Sequence, residues 1–327
     1  MQDISEEVMD KKKKIIGSIG FFSGLFVLLA VLSSVVWLDG EVYNVIGVEN
    51  KNKFFSRLPE NTIDMLIIGD SETYSAINPL QIWKEQGITS YLCGTQAQRL
   101  CDTYAVLKTS LETQSPKLIV FETNCMFRYA GVKPEVADKT LYELSQRFSV
   151  FKYHNRWKQL FSKINVVEYE ELVLEHSRKG FKLRENIVPY TDGEWMKESD
   201  QRKDFAEFAE GYMDKIYKLC KEKNIELVLV STPSPRNWSY EKHNSVSDWA
   251  KEKELPYLDL NLLHKELQID WSKDSRDGGD HMNFSGSKKI TAYLSNYLNE
   301  NYTLPDHRQD TVYSSWHEDL KNSGMEF

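Results

Sequence analysis

The feature that most constrains this chain is an uncharged apolar run near its N-terminus. From Ile15 to Leu38 there are 24 consecutive residues without a charge, and a helix needs about 20 apolar residues to cross the hydrocarbon core of a bilayer. A cleaved signal peptide is the alternative, but its apolar region usually runs about 7–15 residues and ends at small residues. This run ends in Val36-Trp37-Leu38. The sequence therefore predicts an uncleaved transmembrane helix over residues 15–38.

The charges around the run predict its orientation and the side on which the remaining chain lies. Lys11 to Lys14 directly precede the run, and positive residues favour the cytoplasmic side. We therefore expect residues 1–14 to be a cytoplasmic stub and all that follows to be extracytoplasmic in a single-pass protein of the cell membrane. With 41 Lys+Arg against 49 Asp+Glu the net charge is -8. A nucleic-acid partner is not expected, because proteins that bind phosphate backbones carry a basic excess.

Short apolar segments alternate with amphipathic helical segments in the remaining chain. This alternation predicts a parallel sheet covered by helices on both faces, a three-layer α/β/α sandwich with a five-stranded, mainly parallel sheet. The predicted strands are 63–69, 89–92, 117–121, 226–231 and 257–260. The predicted organisation is a juxtamembrane linker over 39–62, one domain over 63–302 with an insertion at about 130–200, and a polar C-terminal tail over 303–327.

Polar residues follow the predicted strands where ligands gather in open parallel sheets, outside the carboxyl ends of the strands. Ser71 follows the first strand, and a serine on a strand-to-helix turn is well placed to act as a nucleophile once a base takes its proton. A plain helix N-cap is the alternative for Ser71. Gly94 and Asn124 follow the second and third strands. Arg236, after the fourth strand, is interpreted as a solvated loop charge, with contact to an anionic substrate as the alternative.

Four short motifs resemble those of the SGNH, or GDSL-like, hydrolase superfamily over residues 63 to about 300. The Gly69-Asp70-Ser71 stretch resembles the first motif, and Gly94, Asn124 and His281 stand where the other three supply functional groups. The resemblance implies a flavodoxin-like SGNH fold with Ser71 as nucleophile and His281 as base. It also implies an oxyanion hole formed by the N–H groups of Ser71 and Gly94 and the side-chain amide of Asn124.

The carboxylate that would orient His281 departs from the pattern of the family. It usually stands three residues before the histidine, where this chain has Gly278. Asp277, four residues before, shares a face with His281 if the segment makes a helical turn. Asp280 is adjacent and would point away in an extended segment. Asp277 is favoured, and Asp280 stays as the alternative.

The resemblance is closest to the membrane-anchored, DltD-like proteins of bacterial envelopes. It implies a serine-type O-acyl transferase or esterase that acts on acetyl or D-alanyl groups of a cell-envelope polysaccharide or teichoic acid. It also implies a membrane-bound O-acyltransferase as partner. A non-catalytic envelope-assembly or polysaccharide-binding protein that keeps the fold is the alternative function.

No cofactor and no metal are expected, although Asp70, Asp280 and His281 could form a metal site in an alternative interpretation. The four cysteines, Cys93, Cys101, Cys125 and Cys220, show no metal-ligand spacing. They are interpreted as buried free thiols, with one disulfide as the alternative.

Overall fold

The computed structural model describes residues 2–36, 58–128, 166–206 and 208–327, together with Phe55, Leu144, Arg147, Phe148 and Val150. The chain forms two compact units, residues 1–44 with 136–165 and residues 45–135 with 166–327. The juxtamembrane linker predicted over 39–62 lies largely outside the described residues, and so does the first half of the insertion predicted at 130–200.

The first unit contains one long helix, α1 (Gln2–Val36), which continues from the predicted stub into the predicted span. Its stretch Lys11–Ser34 is long and apolar enough to cross a membrane. Ile16, Phe21 and Phe26 are 68%, 66% and 61% exposed. These three positions lie on different faces of a helix, and apolar side chains exposed all round are typical of a segment that meets lipid.

The second unit is built on a five-stranded sheet in which every strand pair is parallel. Its strands are β1 (Met65–Ile68), β2 (Ser90–Leu92), β3 (Leu118–Glu122), β4 (Glu226–Ser231) and β5 (Tyr257–Asp259). The order across the sheet is β2-β1-β3-β4-β5, the flavodoxin-like arrangement. The predicted fold class is confirmed, and each strand ends within one residue of its predicted end.

Alternate residues of the central strands are buried in two separate cores. On β1, Leu66 and Ile68 belong to one apolar cluster, whereas Met65 and Ile67 belong to the other. Since successive side chains of a strand point to opposite faces of a sheet, the two clusters are the two faces. Both faces are covered by helices, which accounts for the continuously apolar strands.

The helices of this unit follow the strands in the predicted alternation. They are α2 (Ser71–Ala76), α3 (Pro79–Gln86), α4 (Leu100–Ser110), α5 (Val166–Ser177), α6 (Ala209–Glu222), α7 (Tyr240–Glu252), α8 (Phe284–Asn301) and α9 (Ser314–Asn322). The bounds of α3 follow from its caps, because Asn78 caps its N-terminus and Gly87, with φ 73°, ends it.

The predicted polar tail, residues 303–327, is a packed part of the second unit, and this corrects the sequence prediction. Trp316 on α9 is buried, and its ring lies 5.3 Å from that of Trp83 on α3. Lys179 lies over the Trp316 ring and pairs with Asp319. The composition of the segment is polar because one face of a short helix is solvated. Trp316 is the buried apolar residue on its other face, and Tyr313, Leu320 and Met325 pack against the same core.

The segment that we call the strap, residues 182–206, runs without helix or strand from the end of α5 toward α6. Just before it, the Lys179 carbonyl accepts a hydrogen bond from the Leu92 N–H on the edge strand β2 (3.0 Å). The strap then pairs by backbone hydrogen bonds with the segment that precedes α8. Val188 N–H donates to Ser275 O (2.9 Å), and Gly278 N–H donates to Val188 O (3.0 Å). The strap therefore lies beside the segment that carries His281.

The four cysteines are free thiols, and all four are buried. Burial raises the pKa of Cys125 well above its usual value and that of Cys220 to about 12. Thiols that stay protonated are poor nucleophiles and poor metal ligands. The cysteines therefore act as small core residues, and the alternative of a disulfide is wrong.

Candidate functional site

The sequence-predicted site residues meet at one edge of the sheet. Ser71 follows β1, Gly94 follows β2 and Asn124 follows β3, so all three stand at the carboxyl ends of neighbouring parallel strands. In the order β2-β1-β3 the next two strands of the chain lie on opposite sides of β1, so the strand order reverses there. A crevice therefore opens between β1 and β3, where ligands of such sheets bind.

Ser71 is the first residue of α2, and the cap of this helix is its neighbour. Asp70 is the N-cap, and its Oδ1 accepts a hydrogen bond from Glu72 N–H (3.0 Å). The alternative of Ser71 as a plain N-cap is therefore wrong, because that work is done by Asp70. Gly69 allows the tight turn before it. Its φ is 150°, and an added Cβ would lie 2.8 Å from Glu122 Cβ.

A continuous hydrogen-bonded chain joins Ser71, His281 and Asp277. Ser71 Oγ lies 2.8 Å from His281 Nε2, and His281 Nδ1 lies 2.7 Å from Asp277 Oδ2. The contact between Ser71 and His281 joins residues 210 positions apart in sequence. Nucleophile, base and orienting carboxylate within hydrogen-bond reach is the arrangement that activates a serine.

Asp277 is the nearer of the two candidate carboxylates. Its Oδ1 also accepts the backbone N–H of His281 (2.7 Å), so both of its oxygens face the histidine. Asp280 Oδ2 lies 3.4 Å from His281 Nδ1, and its Oδ1 accepts a hydrogen bond from the Asn237 amide. A turn at Gly278 and Gly279, with φ 76° and 93°, folds Asp277 back over His281. The glycine at the usual carboxylate position thus serves the turn.

The surroundings of His281 favour its charged form. Burial lowers its pKa, but the hydrogen bond that it donates to Asp277 and the negative charges of Glu72 and Asp280 outweigh burial, and the pKa stands above 6.5. Burial raises the pKa of Asp277, and its hydrogen bonds with His281 reverse this and lower the pKa below 3.8. The pair is therefore suited to hold a proton taken from Ser71.

Gly94 lies against the turn that carries Ser71. A Cβ added to it would meet Thr73 Oγ1 at 2.1 Å and Asp70 O at 2.6 Å. No side chain fits this space without moving the start of α2. Glycine at this position lets the backbone after β2 approach the nucleophile, as the oxyanion-hole prediction requires.

Asn124 stands beside the same turn, with its amide already in one hydrogen bond. Asn124 Nδ2 donates to Asp70 Oδ2 (3.1 Å), and Arg128 donates to the same oxygen through Nε and Nη2 (2.7 Å each). A carboxamide has two N–H donors. One of them fixes the amide on Asp70.

Two buried carboxyl groups next to the site escaped the sequence analysis. Glu72 and Glu122 are each 1% exposed, and burial raises the pKa of both well above 4.5. Glu122 accepts the Asn124 N–H (3.2 Å), whereas Glu72 Oε1 accepts from the Asn237 amide (3.0 Å). Lys242, whose pKa burial lowers to about 8, lies nearby. Both glutamates stand at the ends of predicted strands, and that position was the local signal for this cluster.

The alternative metal set predicted from Asp70, Asp280 and His281 is not the group that the structure brings together. Asp70 is taken up by Asn124 and Arg128. Within the described residues, Glu72 joins Asp280 and His281 instead, with one potential ligand atom from each within 4.8 Å of the others. Both imidazole nitrogens already face Ser71 and Asp277, so a cation here would compete with those contacts.

A second His–Asp pair, also missed, lies at the end of β5. His243 Nδ1 is 2.8 Å from Asp259 Oδ2, and the same oxygen accepts from Trp238 Nε1 (3.0 Å) and from Tyr257 Oη (3.1 Å). Within the described residues, His243 makes no side-chain hydrogen bond to a hydroxyl group. This pair belongs to a buried polar network.

No family model matches the chain, and no curated protein sequence matches it. Among solved structures it is similar to a GDSL-like lipase from Bacteroides thetaiotaomicron, at 11% identity and a TM-score of 0.41 over 78% of this chain and 98% of that one. It is also similar to a lipase/acylhydrolase from Enterococcus faecalis (11%, TM-score 0.39, 74% and 98%). A Clostridium thermocellum family 3 carbohydrate esterase is a further similar structure (14%, TM-score 0.36, 73% and 96%). The chemistry proposed below rests on the contacts around Ser71 alone.

Proposed function

We propose that this protein is an extracytoplasmic serine-type O-acyl transferase or esterase that forms an acyl-enzyme on Ser71. The observation that carries the proposal is the chain of contacts from Ser71 Oγ to His281 Nε2 (2.8 Å) and from His281 Nδ1 to Asp277 Oδ2 (2.7 Å). The feature that favours the alternative, a non-catalytic binding protein, is the displaced carboxylate. Asp277 reaches the imidazole from its shifted position, so this feature no longer argues against catalysis.

In the first half-reaction Ser71 Oγ attacks the acyl carbonyl carbon while its proton passes to His281 Nε2. The tetrahedral intermediate collapses, the bond to the leaving oxygen breaks, and His281 returns the proton to that oxygen. The acyl group is then an ester of Ser71. In the second half-reaction water or an acceptor hydroxyl gives its proton to His281 and attacks this ester, which frees Ser71.

Asp277 and the oxyanion donors complete the mechanism. Asp277 holds the imidazole with Nε2 toward the serine and stabilises the imidazolium that forms. The N–H groups of Ser71 and Gly94 and the second amide proton of Asn124 are proposed to bind the oxyanion. Losing one such donor typically lowers kcat by about 10²- to 10³-fold.

The proposed substrates are acetyl or D-alanyl esters of a cell-envelope polysaccharide or teichoic acid. The apolar helix α1 supports this proposal, because a single N-terminal span would hold the second unit close to envelope polymers. The lysines Lys11 to Lys14 support a cytoplasmic N-terminus. An acyltransferase embedded in the same membrane is the proposed partner that delivers the acyl group.

The test is covalent labelling of the full-length chain, in detergent micelles, with an uncharged fluorophosphonate. We expect labelling at Ser71 that is lost in Ser71→Ala and retained in the matched surface variant Ser177→Ala. A folded protein that takes no label would refute the activated nucleophile and favour the non-catalytic alternative. In the same samples, acetyl-ester turnover with and without a hydroxyl acceptor separates transferase from esterase, since only a transferase gives an acylated acceptor as its main product.

A further inference from the structure

The turn between Asp277 and His281 is held from outside by the segment that follows β4. Three consecutive carbonyl groups of the turn accept hydrogen bonds from this segment. Arg236 Nε donates to Gly278 O (2.6 Å), Arg236 N–H donates to Gly279 O (3.0 Å), and Ser234 Oγ donates to Asp280 O (2.6 Å). Three of the four peptide groups between Asp277 and His281 are therefore held at their oxygens.

These hydrogen bonds act on a turn that contains two adjacent glycines. Gly278 and Gly279 both have φ in the left-handed region, and glycine loses more conformational freedom on ordering than any other residue. Within its own segment the turn is held by Gly279 N–H, which donates to Ser275 Oγ (2.7 Å), and the hydrogen bonds from Ser234 and Arg236 restrict the two glycines further. The strap also holds the turn, through the hydrogen bond from Gly278 N–H to Val188 O (3.0 Å) and through Tyr190, which lies against Gly279.

We propose, on the basis of the acyl-transfer function proposed above, that Arg236 is a positioning residue that fastens the Gly278–Gly279 turn so that Asp277 faces His281. Its fork suits this role, because Nε is used on the turn while Nη2 points to the strap, 3.8 Å from Asp192. Lysine lacks a donor at the Nε position and cannot reproduce the planar fork.

The role makes a distinctive prediction for His281. Its charged neighbours are Asp277, Asp280 and Arg276 on its own segment and Glu72 on α2. If the turn relaxes, the hydrogen bond that His281 donates to Asp277, which raises the pKa of His281, weakens and the pKa falls. If Arg236 acted only through its positive charge, removing that charge would raise the pKa. The sign of the shift separates the two roles.

The experiment compares Arg236→Gln, Arg236→Lys and the wild-type full-length chain in detergent. The matched control is Arg202→Gln, which removes an exposed strap arginine paired with Asp248 (2.8 Å). Two quantities are measured: the labelling rate with the uncharged fluorophosphonate against pH, and the pKa of His281 by NMR of a histidine-labelled sample, assigned with His281→Ala. For Arg236→Gln we expect labelling about 10- to 100-fold slower, and a lower pKa of His281. Arg236→Lys should resemble Arg236→Gln, and Arg202→Gln should resemble wild type.

An unchanged or raised pKa of His281 in Arg236→Gln would overturn the positioning role. Normal labelling combined with a raised KM for an anionic ester would assign Arg236 to substrate contact instead. The NMR measurement does not need activity, so a wild-type chain that takes no label would refute the proposed function while the positioning role is still tested. If Arg236→Gln does not fold, Ser234→Ala removes one of the same three hydrogen bonds and should shift the pKa in the same direction.

Discussion

The second unit contains two His–Asp pairs of nearly the same geometry in very different surroundings. Nδ1 to Oδ2 is 2.7 Å in His281–Asp277 and 2.8 Å in His243–Asp259. The Asp277 side chain is 35% exposed, whereas that of Asp259 is 1% exposed. Asp277 is carried by a glycine turn, and Asp259 is the last residue of β5.

The other partners of each pair explain what the pair can do. Asp259 is saturated, because Trp238, Tyr257 and the Asn261 backbone and side chain also donate to it. In His281–Asp277 the imidazole has its second nitrogen on Ser71, at the edge of the sheet where ligands bind. A short His–Asp contact is thus no sign of catalysis by itself. What distinguishes the His281–Asp277 pair is the Ser71 hydroxyl on the second imidazole nitrogen.

The two histidines should therefore respond to alanine in opposite ways. We expect His281→Ala to slow fluorophosphonate labelling by about 10⁴- to 10⁶-fold, since loss of the base costs nearly as much as loss of the nucleophile. His243→Ala should label within a few-fold of wild type but unfold more easily, by about 1–3 kcal/mol, because the buried Asp259 carboxylate loses its hydrogen bond with His243 Nδ1. Labelling rates and thermal unfolding are measured on the same preparations.

The contrast between the two histidines would be contradicted if His243→Ala abolished labelling in a protein that is still folded. Such a result would place the second pair in the reaction. A His281→Ala protein that labels at the normal rate would instead remove the base from the proposed mechanism, whatever the stability of either variant.

The two aspartates give the next largest difference. We expect Asp277→Asn to lower the labelling rate by about 10³- to 10⁴-fold, because an amide no longer stabilises the imidazolium. The wild-type rate should fall as the pH drops through the pKa of His281, above 6.5, since the base must be neutral. In Asp277→Asn this fall should move to lower pH, because the hydrogen bond that raised the pKa is weakened.

Asp259→Asn is the matched variant in the second pair. It keeps one acceptor oxygen but replaces the other with a donor that faces Trp238 and Tyr257. We expect a loss of about 1–3 kcal/mol of unfolding free energy, with the pH dependence of labelling unchanged. A shift of that dependence in Asp259→Asn would show that the two pairs are coupled.

What the sequence could predict differs between these two regions for a physical reason. Ser71 lies in a local motif after an apolar strand, and Asp277 precedes His281 by four residues, so short-range spacing carried both proposals. His243 and Asp259 are brought together only by the packing of α7 on β5, which leaves no local pattern. The same holds for Trp316 on Trp83 and for Asn124 on Asp70. The hydrogen-bond partner of Glu72, Asn237, is likewise 165 residues away.

The smallest expected effect tests a route of hydrogen bonds that leads from the second pair to the residue before Asn124. Hydrogen bonds run from Asp259 to Tyr257 Oη (3.1 Å), from there to Ser231 Oγ (2.9 Å) and on to Thr123 Oγ1 (2.5 Å), next to Asn124. Tyr257→Phe cuts this route at its centre with little change of shape. We expect a loss of about 1 kcal/mol in unfolding free energy, with labelling equal to that of wild type and of the control Tyr217→Phe. Labelling slowed tenfold or more would mean that the network holds the Asn124 amide in place, and the second pair would then support the oxyanion donor from a distance.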